Sequence, residues 1–343
     1  MRILFVDGTK GFSPHRINEK PCGGIITSLT LVPQHLAKYN EVFVLSDYEK
    51  EEKINRVKYI HKYYNLEPDV VVFNRNMVHQ YIVDMFKCPK VWWLHDIVDF
   101  RYLADGSYHK CDKVVALSHY CVESYSDYYD VAKEKFVIIP NGVDTKIFYP
   151  SIEDRGKNLF VCASAPVKGL KPIPYVYENL KRINPDVDFR VYSSQKLHDF
   201  KDDAVTKIFM DSLKSQGVKV LDPIPQNELA NVLRKARALL MPNHYPEICS
   251  NLLLQAQACG CPVIGVPIGS ADEFIEHGQT GLLTKTTPND MFWWWKDFCS
   301  LASGLMLNDD LCRSISKKSC RNTVDWSYVG LQWESLVSSL KRG

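Results

Sequence analysis

The sequence predicts an α/β protein with two consecutive doubly wound domains, each built on a parallel sheet. Short β-rich runs alternate with helical stretches along the whole chain, which is typical of parallel α/β folds. With 343 residues, the chain exceeds the size at which a single hydrophobic core keeps growing, so two domains are expected. The alternation breaks at YPSIEDRGKN (149–158), which combines Pro, Ser, Gly and charge, and then restarts. We therefore place the domain boundary near residue 150.

Hydrophobic runs define the elements in order along the chain. The strand candidates of the first half are RILFVD (2–7), EVFVLS (41–46), VKYIH (57–61), DVVVFN (69–74), KVWWLH (90–95), KVVALS (113–118) and FVIIP (136–140). Its clearest helical stretches are residues 25–39 and 119–129. The strand candidates of the second half are LFVCAS (159–164), DFRVYS (188–193), VKVLD (218–222), ALLMP (238–242) and PVIGVP (262–267). From Pro288 onward the chain is predicted to be helical, and apolar residues recur at helical spacing in its last stretch.

Composition argues against several classes of function. The net charge of +2 argues against nucleic acid as a partner. The sequence contains no run of about 18 apolar residues, so no transmembrane helix is expected. The apolar run in MRILFVDG is too short for a signal peptide. Eleven cysteines spread over strands and helices fit buried thiols in a reducing compartment better than a disulfide framework. We expect a cytoplasmic protein, while its oligomeric state and any peripheral membrane association stay open.

The residues that follow each strand carry the most information, because ligands of open parallel sheets bind beyond the carboxyl ends of the strands. A long loop after the first strand ends in Gly23-Gly24 at a helix start, where free amides attract anions. Further candidates that follow strands are His95, Asp96, Asn141, Ser164, Lys168 and Gly169. A plain turn at the glycines, a surface lysine and a core histidine are the competing interpretations.

The stretch HYPEICSNLLLQAQACGCPVIG (244–265) is the most specific feature of the sequence. A lone acid, Glu247, precedes an apolar helix that is predicted to begin near residues 250–251. The start of such a helix offers unpaired amides and a positive dipole end to an anion. The candidates for ligand binding there are Cys249, Ser250, Asn251 and Leu252. Gln255 lies one to two turns further into the helix.

Several motifs, taken in order, resemble those of a known family. They are CGG (22–24), WWLHD (92–96), VVALSHYCVESY (114–125), IIPNGVDTKIF (138–148), ASAPVKGL (163–170), the 244–265 stretch and GQTGLL (278–283). The chain resembles, over nearly its whole length, the retaining nucleotide-sugar glycosyltransferases of the GT-B fold, in particular family four. The resemblance implies two Rossmann-like domains that face a central cleft. It implies an acceptor-side domain at 1–150 plus 325–343, a nucleotide-sugar domain at 151–324, and a C-terminal helix that crosses back to the first domain.

The resemblance also implies roles for individual residues. Glu247 would reach the hydroxyls of the donor sugar, and Lys168 would contact the diphosphate. Gln255 would contact the ribose, although the family carries Glu at that position. Many relatives place an Arg where this chain has Ala163, so one cation near the diphosphate is missing. His95 would approach the transferred sugar and the acceptor, where it could donate a hydrogen bond or move a proton.

The predicted reaction moves a sugar from a UDP- or GDP-sugar to a hydroxyl of a glycan or other acceptor, with retention and with no metal or other cofactor. Three patterns that could suggest other chemistry have plainer explanations. Asp186-Val187-Asp188 has the form of a metal-binding DxD motif but precedes a strand, where a helix-to-strand turn is expected. Cys259-Gly260-Cys261 lacks a second cysteine pair at zinc spacing. WWW at 293–295 is expected to contribute to packing.

Other functions stay open to different degrees. Asp47 ends the second strand as the ribose-binding acid of a dehydrogenase would, but no GxGxxG follows the first strand. A sugar-nucleotide-binding protein without catalysis is the main alternative, because of Gln255 and Ala163. A nucleotide-sugar epimerase is a further alternative.

Overall fold

A computed structural model describes the chain over residues 1–9, 11–62, 66–75, 80–98, 107–151, 155–198, 201–289 and 294–340. These residues form two compact units. Unit 1 comprises Met1–Ile17, Gly24–Gly142 and Val324–Gly343, and unit 2 comprises Asn18–Gly23 and Val143–Thr323. The chain therefore passes between the units after residues 142 and 323, where the sequence predicted boundaries at 150 and 324, and also after residues 17 and 23, which the sequence did not predict. The roles predicted for the two domains stay predictions.

Unit 1 contains an eight-stranded sheet. Its elements are β1 (Arg2–Asp7), α1 (Arg16–Glu19), α2 (Gly24–Leu36), β2 (Glu41–Leu45), β3 (Glu52–Ile54), β4 (Val57–Ile60), β5 (Val70–Asn74), α3 (Gln80–Met85), β6 (Lys90–Trp93), β7 (Lys113–Ala116), α4 (His119–Tyr129) and β8 (Phe136–Ile138). The strand order is β3-β4-β2-β1-β5-β6-β7-β8. All neighbours are parallel except β3 and β4. Because helices cover both faces of such a sheet, β1 and β5 are almost entirely buried.

Unit 2 contains a second parallel sheet of six strands. Its elements are β9 (Leu159–Cys162), α5 (Ile173–Ile183), β10 (Asp188–Tyr192), α6 (Ala204–Gln216), β11 (Lys219–Leu221), α7 (Gln226–Lys235), β12 (Ala238–Met241), α8 (Asn251–Ala258), β13 (Val263–Gly265), α9 (Ala271–Phe274), β14 (Leu282–Leu283), α10 (Trp294–Leu307) and α11 (Asp309–Ser319). The strand order is β11-β10-β9-β12-β13-β14. The carboxyl ends of β9 and β12, which are neighbours, therefore lie side by side.

The last helix, α12 (Trp326–Leu340), belongs to unit 1 and packs on α2. Gly330 allows this contact, because a Cβ atom there would lie 2.1 Å from Cγ of His35. Trp333 is fully buried, and its ring lies 4.7 Å from that of Trp93 and 6.2 Å from that of Phe5. The resemblance correctly implied a C-terminal helix that returns to the first domain.

All twelve strands predicted from hydrophobic runs are present in the structure. The prediction missed β3, which reads EKI at a sheet edge, and β14, which is two residues long. Neither segment has the apolar run by which the other strands were found. Trp293 lies outside the described residues, while Trp294 and Trp295 begin α10 and pack against the core of unit 2. No helix within the described residues is long and apolar enough to cross a membrane.

Candidate active site

Two loops of unit 2 lie against each other at the carboxyl ends of β9 and β12. One is the turn at Lys168-Gly169, and the other begins at Pro242. Gly169 has a φ of +152°, and a Cβ atom there would lie 2.1 Å from the carbonyl oxygen of Pro242. The amide of His244 also donates to the carbonyl oxygen of Lys168 at 2.9 Å. Glycine is therefore required for the backbones to meet at this distance.

This contact brings together two of the predicted site residues. The Lys168 ammonium donates to Oε1 of Glu247 and forms an ion pair with it. The side chains are 32% and 19% exposed, so the pair is partly shielded from solvent. Asn243, which the sequence interpretation missed, donates through Nδ2 to the second carboxylate oxygen, Oε2, at 3.2 Å. Both oxygens of Glu247 are thus engaged.

The backbone of Glu247 is held as firmly as its side chain. Ser270 donates to the Glu247 carbonyl oxygen from both its amide and its hydroxyl, each at 2.9 Å. Gly269 adopts a φ of +63°, and a Cβ atom there would lie 2.5 Å from the same oxygen. The loop after β13 therefore fixes the position of Glu247, and Ser270 is a second supporting residue that the sequence did not reveal.

Helix α8 begins at Asn251, as the sequence predicted, four residues after Glu247. Ser250 precedes it in an extended conformation and makes no side-chain capping bond. The first amides of a helix have no partner within the helix, so this end is suited to an anion. Oδ1 of Asn251 is buried and has no partner within the described part of the chain.

The remaining predicted residues of this region lie around the same helix start. Cys249, Leu252 and Gln255 are each partly exposed. The Gln255 side chain makes no hydrogen bond to another described residue, which leaves its amide available. Ser164 is 7% exposed, and its carbonyl oxygen accepts a hydrogen bond from the Ser193 hydroxyl. In the structure, Ser164 is therefore bound through its backbone to Ser193. The ligand contact predicted for Ser164 stays a prediction.

In unit 1, His95 and Asp96 follow β6, as predicted, but their surroundings differ. The guanidinium of Arg75 donates to both oxygens of Asp96, from Nε at 2.7 Å and from Nη2 at 3.1 Å. The His95 ring lies 4.5 Å from that of Trp93 at an interplanar angle of 54°, and its Nε2 is buried with no partner among the described residues. Burial, with a smaller effect of Arg75, lowers the pKa of His95 to about 3. The imidazole is therefore neutral at physiological pH.

Asn141 and Gly24 both lie within hydrogen-bond distance of the Ser28 hydroxyl. Asn141 is 5% exposed, and its Oδ1 lies 3.2 Å from the Ser28 hydroxyl, which also lies 2.8 Å from the Gly24 carbonyl oxygen. This arrangement ties the chain after β8 to the first turn of α2. Gly24 opens α2 as predicted, whereas Gly23 belongs to unit 2. The ligand contacts predicted for these three residues stay predictions.

Three polar residues at the ends of β1 and β5 were also missed. Asp7 is 4% exposed, and it accepts hydrogen bonds from Asn74 at 2.8 Å and from Thr9. Burial raises the pKa of Asp7. Oδ1 of Asn74 is buried and has no partner in the described residues, and Arg75 adopts a φ of +63°. Asp7 and Asn74 are the last residues of their strands, and only Arg75 follows one, so a prediction that concentrates on the residues after strands does not include the first two.

The patterns that could suggest a metal lie elsewhere. Asp188 is the first residue of β10, at the amino end of the strand, where it pairs with Arg190 at 2.5 Å and Lys219 at 3.0 Å. Cys259 and Cys261 are fully buried, and burial raises their thiol pKa values to about 12 and about 11. Within the described ranges, no three His, Cys, Asp or Glu side chains cluster as metal ligands would.

Two sequence families match the chain, one in each half. The family described as Glycosyltransferase Family 4 matches residues 53–147, and the family described as Glycosyl transferases group 1 matches residues 157–293. The second match contains both loops that carry Lys168 and Glu247. The order of the two matches follows the order of the two sheets.

Two curated proteins illustrate the sequence similarity. A D-inositol 3-phosphate glycosyltransferase of Pseudarthrobacter chlorophenolicus is 30% identical over 202 residues, which are 55% of this chain and 45% of that protein. This chain therefore spans less than half the length of that relative. An uncharacterized glycosyltransferase of Methanocaldococcus jannaschii is 25% identical over 270 residues, which are 75% of this chain and 71% of that protein.

Two solved structures share the fold. The sucrose-phosphate synthase of Thermosynechococcus elongatus superposes with a TM-score of 0.78 at 15% identity, and the alignment covers 99% of both chains. The Anabaena protein HepE, solved in complex with UDP and glucose, gives a TM-score of 0.74 at 18% identity and covers 99% of this chain and all of that one. At these identities the likeness shows the fold.

Proposed function

Because the chain belongs to the group 1 glycosyltransferases of family four, we propose that it transfers a sugar from a nucleoside-diphosphate sugar to an acceptor hydroxyl. In this proposal, unit 2 binds the donor and unit 1 contributes to acceptor recognition. The transfer retains the anomeric configuration of the donor and needs no divalent metal. The acceptor is a glycan or another molecule with a free hydroxyl.

The observation that carries this proposal is the ion pair of Lys168 and Glu247 beside the start of α8. A cation, a carboxylate and a helix amino terminus are the groups that a donor needs. The helix end and the ammonium suit the diphosphate, and the carboxylate suits the sugar hydroxyls. The α8 side chain of Gln255 makes no hydrogen bond to other described residues and is available for the ribose.

Donor binding has to exchange one ion pair for another. Lys168 is paired with Glu247 in the structure. A diphosphate carries more negative charge than a carboxylate, so the ammonium is expected to move to it and to leave Oε1 of Glu247 free. Oε1 can then accept a hydrogen bond from the sugar.

The proposed reaction is a front-face displacement at the anomeric carbon. The bond between that carbon and the diphosphate oxygen breaks, and a bond to the acceptor oxygen forms on the same face. The acceptor proton passes to the departing diphosphate oxygen. Lys168 and the α8 amides stabilise the charge that develops on the diphosphate, which is commonly the largest catalytic contribution. Glu247 aligns the sugar and does not attack it.

His95 is expected to act as a hydrogen-bonding group. With a pKa of about 3, its imidazole is neutral at pH 7 and cannot act as a general acid in the imidazolium form. Its buried Nε2, which lacks a partner among the described residues, can bond to a hydroxyl of the sugar or of the acceptor. Of the two roles that the sequence suggested, the structure favours this one.

A nucleotide-sugar panel tests the proposal. UDP-sugars come first, because a protein of the same fold was solved with UDP and glucose, and GDP-sugars follow. A bound donor should raise the melting temperature by mass action. For a donor that does so, release of the nucleoside diphosphate should depend on an acceptor, and full activity should survive EDTA. NMR of the anomeric proton of the product should show retention.

The alternatives give different results in the same experiments. Binding without turnover would indicate a sugar-nucleotide-binding protein, for which Gln255 and Ala163 are the supporting departures from the family pattern. Isomerisation of the sugar without an acceptor would indicate an epimerase. An inverted product would overturn the front-face mechanism, and activity lost on chelation and restored by manganese would overturn metal independence.

A further inference from the structure

The Glu247 carboxylate has two side-chain partners, and a ligand would compete more strongly for one of them than for the other. Lys168 holds Oε1 and Asn243 holds Oε2, the latter at 3.2 Å. An anionic diphosphate competes directly for the lysine because both interactions are electrostatic. It does not compete for Asn243 in the same way, since a neutral amide has no net charge to attract it.

The position of Asn243 is itself tightly determined. It comes two residues after the end of β12 and is 7% exposed. A Cβ atom on Gly169 would lie 2.8 Å from its Cα atom, so the turn after β9 packs directly on its backbone. Asn243 therefore has little freedom to move away from Glu247.

The orientation of the amide gives a second indication. Oδ1 of Asn243 is buried and has no partner among the residues that the structure describes. Leaving a buried acceptor unsatisfied is unfavourable. The side chain keeps this orientation while Nδ2 donates to Glu247, so the bond to the carboxylate is the interaction that fixes the amide.

We propose that Asn243 is a positioning residue, which keeps the Glu247 carboxylate directed at the donor sugar after Lys168 has moved to the diphosphate. This inference rests on the proposed function and adds a residue to it. Asn243 touches neither the reacting atoms nor the diphosphate in this scheme. It acts through Glu247, whose backbone Ser270 already fixes.

Asn243→Asp is the most informative variant because it keeps the shape of the side chain. It replaces the donor with a second carboxylate beside Glu247, and two adjacent carboxylates tend to hold a proton between them. We expect kcat to fall about 10- to 100-fold, which corresponds to a lost hydrogen bond to a charged group. The loss should lessen as the pH falls from 8 to 6, because a proton held between the two carboxylates restores a hydrogen bond to Glu247. Affinity for the nucleoside diphosphate, measured by calorimetry, should change less than about twofold.

Asn179→Asp is the matched control. It introduces the same charge in the same unit, and its side chain still accepts the hydrogen bond from Ser303. Its kcat and pH profile should match those of the wild-type chain. Asn243→Ala gives a second test that needs no turnover. In the wild type, a nucleotide sugar should raise the melting temperature more than the nucleotide alone, and in Asn243→Ala this extra increment should disappear.

The outcomes separate the two proposals. Wild-type kcat and pH profile in Asn243→Asp, or an unchanged sugar increment in Asn243→Ala, would overturn the positioning role and leave the proposed function in place. Nucleotide affinity that falls as far as kcat would also overturn it, because it would indicate a collapsed loop. A wild-type chain that binds no nucleotide sugar and shows no transfer would overturn the proposed function, and the positioning role with it.

Discussion

The Glu247 carboxylate at the strand ends of unit 2 has a partner on each oxygen, whereas two neutral side chains at the strand ends of unit 1 leave buried atoms without partners. The amide oxygens of Asn243 and Asn251 in unit 2 are likewise buried without a partner in the described residues. Glu247 is bound by Lys168 and Asn243 on its two carboxylate oxygens. In unit 1, His95 Nε2 and Asn74 Oδ1 are buried with no partner in the described residues. In the proposed function, the charged pair of Lys168 and Glu247 exchanges partners when a donor binds. The two unit 1 atoms can gain hydrogen bonds without giving any up, and each buried group left unsatisfied costs about 1–3 kcal/mol.

The difference suggests a division of labour. A charged cluster with rigid backbone support suits a ligand that carries a fixed charge, such as a diphosphate. Unpaired neutral groups suit hydroxyls, which both donate and accept. The predictions that follow disturb one cluster or the other, so that each tests this contrast.

The largest effect is expected from Glu247→Gln. The change keeps the shape and replaces a charged acceptor by a neutral one, which also leaves Lys168 without its ion pair. We expect kcat to fall roughly 10- to 1000-fold, or about 1.4–4 kcal/mol in the barrier. Affinity for the nucleoside diphosphate, measured by calorimetry, should not fall, because that ligand has no sugar and Lys168 no longer has to leave an ion pair. A variant with the wild-type rate would reduce Glu247 to a loop acid.

The backbone contact that supports the charged cluster can be broken at Gly169. Gly169→Ala places a side chain at a φ of +152° and 2.1 Å from the Pro242 carbonyl oxygen. We expect about 2–3 kcal/mol of lost stability in urea denaturation, together with reduced transfer. Gly304→Ala is the matched control, since its Cβ atom would meet nothing within 4 Å inside α10. That change should be neutral or stabilise by about 0.5–1 kcal/mol. Equal stability of the two variants would contradict the close contact.

Most of the fold could be predicted from the sequence because buried parallel strands are continuous apolar runs. β1 and β5 illustrate this, since both are buried along nearly their whole length. Edge strands cannot be predicted in the same way, because they need not be apolar. For example, β3 has charged residues at two of its three positions and pairs with only one neighbouring strand. Backbone hydrogen bonds, which any sequence can make, decide such segments.

The site was predictable where a motif fixed local spacing and was not where folding brought distant residues together. Glu247 and the start of α8 lie in one stretch, so their proximity follows from the sequence. The contact of Lys168 with Glu247 spans 79 positions and depends on β9 pairing with β12. Asn243 and Ser270 have no distinctive residue type, and only their hydrogen bonds to Glu247 reveal them.

The neutral state of His95 in unit 1 should be detectable in the pH dependence of the free energy of unfolding. The pKa of His95 is about 3 in the folded chain and near 6.5 when unfolded, so the unfolded chain binds the proton first. Its contribution is present in full above pH 6.5 and is lost as the pH falls toward 3. Urea denaturation should show a loss of about 1–2 kcal/mol between pH 7 and 5 that is smaller in His95→Gln. His119→Gln, at an exposed position, is the control. The same pH dependence in all three proteins would contradict a neutral His95.

The smallest effect is expected from Gln255→Glu, which restores the residue that the family pattern carries. Gln255 is partly exposed in α8, and its side chain makes no hydrogen bond to other described residues, so the substitution should be tolerated by the fold. A carboxylate accepts hydrogen bonds from a ribose diol more strongly than an amide does. The donor contains that diol in the ground state and in the transition state alike, so the gain should appear as uniform binding. We expect donor KM to fall about 2- to 5-fold, or about 0.4–1 kcal/mol, with kcat unchanged. Gln255→Ala should raise KM by a similar factor, whereas a change in kcat without a change in KM would place Gln255 nearer to the transferred sugar than to the ribose.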